Sequence, residues 1–296
     1  MSRTPATLRA RLHTATAHPL LLDGPTGTEL IRRGLALPPP LWSAVAIESA
    51  PELLAAIHRD YVRAGADLIT ANTFRTHARN LPDSMQAGEL TARAVALARA
   101  AANDHAWVLG SQAPLEDCYS PDLTPPDDAL TSEHAAHAEN LLAAGVDGIL
   151  IETMPTIREA VATTRAAAQT GLPVLVSFVC GAPNQLLSGE DLVSAVRAVL
   201  VFEPAAVLVN CCAAPDLQAQ LAVLRASAPD RVIGGYGNTA RHTPHGWEDT
   251  LATDPDHYAS HAAHWVALGA GIIGACCGAT PAHIAKLREL LSHEPS

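Results

Sequence analysis

The feature that most constrains this chain is an alternation. Eight short apolar or β-branched runs, each followed by a stretch with helical periodicity, recur from residue 20 to residue 291. The runs are Leu20–Asp23, Asp67–Thr73, Trp107–Gln112, Gly148–Thr153, Val174–Val179, Ala206–Cys211, Val232–Asn238 and Gly271–Cys276. The Ala-rich helical stretches are Pro51–Ala64, Met85–Asn103, Ser132–Ala144, Ile157–Gln169, Gly189–Leu200, Pro215–Ser227, Asp256–Leu268 and Pro281–Leu291. Several are followed by a glycine within three residues of the next run, as at Gly65, Gly145, Gly171 and Gly269, which is the usual C-terminal stop of a helix. A helix between successive strands imposes parallel pairing with right-handed crossovers. Eight such units in 296 residues predict an α/β fold, a single (β/α)8 TIM barrel. No composition break, repeat or low-complexity tract marks a linker, so residues 1–296 read as one domain. A doubly wound open sheet is the alternative, but no Gly-x-Gly-x-x-Gly turn follows the first run.

Charge narrows the partners. The formal net charge is −11 and the 19 Lys and Arg form no dense run, which argues against nucleic acid or an anionic membrane surface. Small molecules are the expected partners, and sequence does not choose an oligomeric state. No apolar run approaches the roughly 20 residues of a membrane span. The N-terminal segment carries Arg3, Arg9 and Arg11 without an apolar core before Leu20, so no secretory signal is expected and the chain reads as cytoplasmic.

Six cysteines include two vicinal pairs, Cys211-Cys212 and Cys276-Cys277. In a reducing compartment this is no disulfide framework; metal binding or catalysis is the better expectation. In a barrel of this kind chemistry sits where strands end. The polar strand ends here are Asp23, Asn72-Thr73, Glu152-Thr153, Asn210-Cys211, Asn238 and Cys276-Cys277. Strands six, seven and eight are neighbours, so Cys211, Cys276 and Cys277 come within reach of one metal ion. Three protein ligands with an open fourth position describe a catalytic zinc site. Use of both Cys276 and Cys277 requires the strand to break there, which Gly274 and Gly278 permit. Cys212 competes for the role of Cys211, while Cys118 and Cys180 read as buried small hydrophobes.

Asp23 and Glu152 have two readings: caps for the helices that follow, or counter-charges for the ammonium of an amino-acid substrate. Of the 14 histidines, His134/His137 and His261/His264 are expected on solvated faces of outer helices. His242 and His245, after the seventh strand, are better placed for a substrate loop.

Seven segments stand in order along the chain: Asp23-Gly-Pro-Thr-Gly-Thr-Glu-Leu30, Leu41-Trp-Ser-Ala44, Ala64-Gly-Ala-Asp67 running into Asn72-Thr-Phe74, Glu152-Thr-Met-Pro155, Leu187-Ser-Gly-Glu190, Val209-Asn-Cys211, and Gly274-Ala-Cys-Cys-Gly278 followed by Thr280-Pro-Ala-His-Ile284. Together they resemble the homocysteine S-methyltransferase family. The resemblance spans nearly the whole chain. Pro25-Thr26 and Ala275 depart from the residues usual at their positions. The resemblance implies Zn2+ on Cys211, Cys276 and Cys277, with Cys212 set aside. It places homocysteine against Asp23, Asn72, Thr73 and Glu152. It also implies transfer of a methyl group to the homocysteine thiol, giving methionine.

A free thiol has a pKa of about 8.5 and is a poor nucleophile at neutral pH; coordination to zinc deprotonates it. A cationic donor would leave as a neutral product. Aromatic faces favour such a cation, and the candidate donor contacts are Phe74, Tyr119, Phe178 and Tyr236. A sulfonium such as S-methylmethionine or S-adenosylmethionine is the preferred donor; betaine or a corrinoid-delivered methyl group, or a related thiol acceptor, are alternatives. From other classes, a zinc hydrolase on the same barrel and a thiol- or zinc-binding protein without turnover are the rivals; the hydrolase needs His and carboxylate ligands, and the first strand lacks a His-x-His pair.

Overall fold

The computed structural model describes residues 2–81, 86–243 and 245–292. Eight parallel strands form one sheet: β1 Leu20–Leu21, β2 Leu68–Ala71, β3 Trp107–Gln112, β4 Gly148–Met154, β5 Val174–Phe178, β6 Ala206–Ala213, β7 Val232–Asn238 and β8 Ala270–Ala275. Their spatial order is β1-β8-β7-β6-β5-β4-β3-β2. The two end strands meet. Leu22 bridges Leu68 in parallel, the Asp23 N–H donates to the Leu68 carbonyl at 3.0 Å, and the Asp67 N–H donates to that of Leu21 at 2.7 Å. The sheet thereby closes into the expected (β/α)8 barrel.

Strand parity sorts the side chains into two cores. Leu20, Leu22, Leu68, Leu109, Leu150, Leu175, Leu208 and Ile272 belong to one buried cluster. Their odd-step neighbours Leu21, Ile69, Val108, Ile149, Val176, Val207 and Ile273 belong to the other, which packs the strands against the helices. The pleat of period two produces this division, inward to the barrel or outward to the helical ring. An N-terminal helix, Pro5–Leu12, was not expected from the sequence. It adds Leu8 and Leu12 to the inner cluster, and Trp107 Nε1 donates to Thr7 Oγ1 at 3.1 Å. This helix floors one end of the barrel, leaving the carboxyl ends of the strands as the open mouth.

The helices begin and stop near their expected bounds, with two corrections. The third outer helix runs Asp127–Ala143, beginning five residues earlier than Ser132, with Asp127 and Asp128 in its first turn, where acids are favoured. Its His134 and His137 are buried, not solvated. His134 Nε2 lies 3.2 Å from Glu159 Oε1 and His137 Nε2 3.3 Å from the Ser111 carbonyl. Burial pushes His137 down to about 4, so it is a neutral packing residue. On the helix Pro255–Ala267, by contrast, His264 is exposed and His261 half-buried. The helix expected from Met85 is seen as Ala87–Ala102; Met85 lies outside the described residues. Among the described residues, no helix is long and apolar enough to cross a membrane.

Candidate active site

At the mouth lies a cavity of about 750 Å3 whose wall includes Asp23, Asn72, Phe74, Tyr119, Glu152, Tyr236 and the thiols of Cys211, Cys276 and Cys277. That is room for two small amino-acid-sized molecules. The chain that builds it departs from regular strand at the places where the chemistry-bearing residues sit.

In β6, Asn210 pairs with Tyr236 but Ala213 with Asn238, so one extra residue is inserted around Cys211-Cys212. Cys211 takes a left-handed φ of 55°. Without this bulge, parity would turn Cys211 outward, since Asn210 before it points inward; the extra residue re-aims its thiol into the mouth. Asn238 Nδ2 donates to the Cys211 carbonyl at 2.8 Å and the Tyr119 hydroxyl does so at 3.2 Å. β8 ends at Ala275, so Cys276 and Cys277 lie beyond the strand. There Gly278, at φ 85°, turns the chain and brings both thiols to one side.

The three Sγ atoms all lie within 4.8 Å of one another. Cys211 Sγ is 2.9 Å from Cys276 Sγ and 3.9 Å from Cys277 Sγ. A tetrahedral ion with thiolate arms of about 2.3 Å has sulfur–sulfur edges of roughly 3.8 Å. The donor set therefore suits a thiophilic divalent ion, with Cys276 and Cys211 lying closer than that edge. All six cysteines are free. The facing thiols of Cys211 and Cys276 favour a thiolate at Cys277 and hold its pKa well below the usual thiol range, against the opposing effect of burial. Cys212 faces elsewhere: its Sγ accepts from the Cys180 N–H at 3.2 Å and lies 3.3 Å from the Cys180 carbonyl.

The carboxylates are not helix caps. The helix Thr26–Arg32 has Pro25 at its N-cap, with no side-chain cap, and the helix Ile157–Ala168 is capped by Thr156. Asp23 instead accepts from the Thr70 N–H at 2.8 Å and from the Thr70 hydroxyl at 2.9 Å. Glu152 accepts from the Ser111 hydroxyl, and from that of Tyr236 at 3.3 Å. Burial raises Asp23 well above the ordinary carboxylate range, opposed by the Thr70 bonds. Burial raises Glu152 to about 7, with Ser111 opposing and the Cys211 charge adding to it. Two desolvated acids on one wall of a cavity are stabilised as anions by an incoming cation.

The remaining expected residues separate. Asn72 lines the cavity, but its amide is engaged with Ser43: Nδ2 donates to the Ser43 carbonyl and Oδ1 accepts from the Ser43 hydroxyl, both at 2.8 Å. Thr73 is fully buried and donates to the Ser111 carbonyl at 2.9 Å, behind the wall and not in it. Phe178 is corrected too. It follows the inward Ser177 in β5, so parity places its ring in the outer core, fully buried. Phe74, Tyr119 and Tyr236 do line the cavity.

Sequence reasoning missed Trp42 and Trp247. Trp42 stands edge-on to Phe74, with ring centroids 5.7 Å apart, and sits so close to Gly27 that a Cβ there would fall 2.4 Å from its ring. Trp247, on the hairpin Ala240–Thr243/Gly246–Asp249, packs with Tyr119 at 5.3 Å and with His242 at 5.0 Å. The available signal was the Leu41-Trp-Ser-Ala44 segment for the first and the aromatic hairpin after β7 for the second. Cys118, expected as a core filler, is buried yet also reaches the cavity wall.

The family profile described as homocysteine S-methyltransferase matches residues 20–291. The chain belongs to this family. Membership makes it a methyltransferase and agrees with the resemblance in the sequence. The homocysteine S-methyltransferase of Escherichia coli is 33% identical over 91% of this chain and 94% of its own length. Homocysteine S-methyltransferase YbgG of Bacillus subtilis is 27% identical over 93% of this chain and 95% of its own. Among solved structures, the metallated form of the homocysteine methyltransferase MmuM from Escherichia coli superposes with a TM-score of 0.80 at 29% identity, covering 92% of this chain and 96% of that one.

Proposed function

We propose that this homocysteine S-methyltransferase family member moves a methyl group from a sulfonium donor to the thiol of L-homocysteine, giving methionine, with Zn2+ on Cys211, Cys276 and Cys277. One barrel carries both substrates. The observation that carries the reading is the convergence of three thiols from two strand ends within 4.8 Å, in a cavity that also presents two desolvated carboxylates.

Cys211, Cys276 and Cys277 would hold Zn2+ as thiolates, and the ion would supply the acidity that keeps a substrate thiol deprotonated at neutral pH. Everything else falls to the chain. Asp23 and Glu152 bind the substrate ammonium; Thr70, Ser111 and Tyr236 hold the two carboxylates in place through the bonds described above. Burial keeps the Tyr236 hydroxyl protonated, its pKa lying well above the ordinary phenol value, so it remains a donor to Glu152. Tyr119, whose hydroxyl reaches the Cys211 carbonyl, and Trp247, packed edge-on against Tyr119, give the cavity wall aromatic surface that favours a positively charged donor over a neutral one. In the transfer the acceptor sulfur forms a bond to the methyl carbon, the bond from that carbon to the sulfonium sulfur breaks, and the electron pair leaves with the now neutral thioether. The acceptor thiol proton passes to solvent. Among the described wall residues there is no histidine, which disfavours a hydrolase that generates hydroxide on a His-ligated metal.

The test is methionine formation from homocysteine by metal-loaded protein given S-methylmethionine, S-adenosylmethionine or betaine in turn, with metal content measured in parallel. Turnover should require bound zinc and a sulfonium. Turnover by metal-free protein, or with betaine alone, would overturn the reading.

A further inference from the structure

The cavity wall is acidic, with Asp23, Glu116, Asp117, Glu152 and Asp249, and Arg75 is the one cationic residue among its described members. These acids do not neutralise Arg75. Glu116 pairs with Arg79 at 2.9 Å. Asp117 accepts from the Ser120 hydroxyl at 2.7 Å and from the Tyr119 N–H at 3.2 Å. Asp23 and Glu152 are held by the hydroxyls already described. Arg75 itself donates only through Nη1, to the carbonyls of Pro114 at 3.5 Å and Glu116 at 3.1 Å. Its Nε and Nη2 have no partner among the described residues, and no carboxylate pairs with it.

The guanidinium is nevertheless held in place. Its carbon lies 5.2 Å from the centroid of Phe74, whose ring is braced by Trp42. A half-buried guanidinium that spends one nitrogen on backbone and leaves two open is preorganised for a planar anion; carboxylate takes two parallel N–H donors from such a fork. The bonds to Pro114 and Glu116 tie Arg75 to the segment that carries Tyr119, on the aromatic side of the mouth. Asp23 and Glu152 line the same cavity but bond to Thr70, Ser111 and Tyr236 and not to Arg75.

Resting on the sulfonium-donor reading above, we propose that Arg75 is a specificity-determining residue that grips the carboxylate of the methyl donor, so that the preferred donor is a zwitterionic amino-acid sulfonium with a free α-carboxylate. The acidic wall favours the donor's cationic groups and Arg75 its one anionic group. A sulfonium lacking the carboxylate gains only the first.

The experiment compares S-methylmethionine with its α-carboxamide on the zinc-loaded wild-type chain and on Arg75→Met and Arg75→Lys, by titration calorimetry and by steady-state kinetics. Wild type should bind the carboxylate form about 10- to 100-fold more tightly than the carboxamide, the range of a charge-assisted bidentate pair. Arg75→Met should reduce that ratio to near unity through loss of carboxylate binding, with the homocysteine KM changed by less than about twofold; Arg75→Lys, keeping charge without the fork, should fall between. A ratio that survives in Arg75→Met, equal binding of the two forms by wild type, or a rise in the homocysteine KM in place of the donor's would each overturn the assignment. Calorimetry reads Arg75 without turnover, so absence of methionine formation would count against the proposed function and not against this inference.

Discussion

The side-chain amide of Asn238, at the end of β7, donates to the carbonyl oxygen of Cys211 at 2.8 Å. That bond clamps the bulge that turns the Cys211 thiol into the mouth. Asn238 is itself buried, so Asn238→Ala should cost about 1–3 kcal/mol of stability. Loss of such an outer support should also weaken metal binding roughly 10- to 100-fold. Chelator competition on the folded variant measures the second effect, and an unchanged zinc affinity would show that the bulge holds itself.

Cys211 and Cys212 are adjacent yet have opposite fates, which makes a contrast of two alanine variants informative. Cys211→Ala should lose zinc and methyl transfer together. Cys212→Ala should keep zinc stoichiometry, because its sulfur serves Cys180 behind the wall, and should show instead a modest loss in thermal stability. Metal analysis of the two proteins checks this; loss of zinc from Cys212→Ala would make Cys212 a ligand in place of Cys211.

The fold was legible because each strand and helix repeats one unit, and repeated weak signals reinforce one another. The site was legible where a residue type is rare at a strand end, as with Cys211 or Glu152. It was not legible where strand parity or the path of a loop decides the direction of a side chain. Phe178 and Ser177 differ by one residue, and that difference sends the ring to the outer core. Trp247 reaches the mouth through a hairpin whose turn no helical or strand periodicity marks. His134 and His137 lie on a helix of the outer ring, whose exterior is solvated, but the face that carries them lies inward on Ser111 and Glu159.

Gly278 makes the cysteine turn possible, and its substitution should be expensive in a divisible way. At φ 85° an alanine is strained by about 1–2 kcal/mol, and its Cβ would lie only 2.0 Å from Thr239 Oγ1. Gly278→Ala should therefore lower the melting temperature of the metal-free chain and reduce zinc binding. Adding Thr239→Ala removes the clash and leaves the strain, so the double variant should recover part of the loss. Equal melting temperatures for the single and double variants would show that the clash contributes nothing.

Glu152 gives the site a pH dependence whose sign can be worked out. Its pKa is about 7 in the folded chain against 4.5 for the ordinary group. Between those values the unfolded chain has released the proton and the folded chain still holds it, so stability falls as pH rises through that window and levels off above about 7. Glu152 is half-buried and lines the open cavity, so solvent screening holds the change to at most roughly 3 kcal/mol. Glu152→Gln should abolish it in metal-free protein, making the variant the more stable of the two at pH 8. Binding runs the other way. The ammonium of the acceptor needs the ionised carboxylate, so the wild-type homocysteine KM should fall as pH rises through about 7, whereas Glu152→Gln should have a raised KM without that inflection. Denaturant titrations at several pH values and a KM profile for both proteins decide the matter, and an inflection that persists in Glu152→Gln would assign the titration to another group.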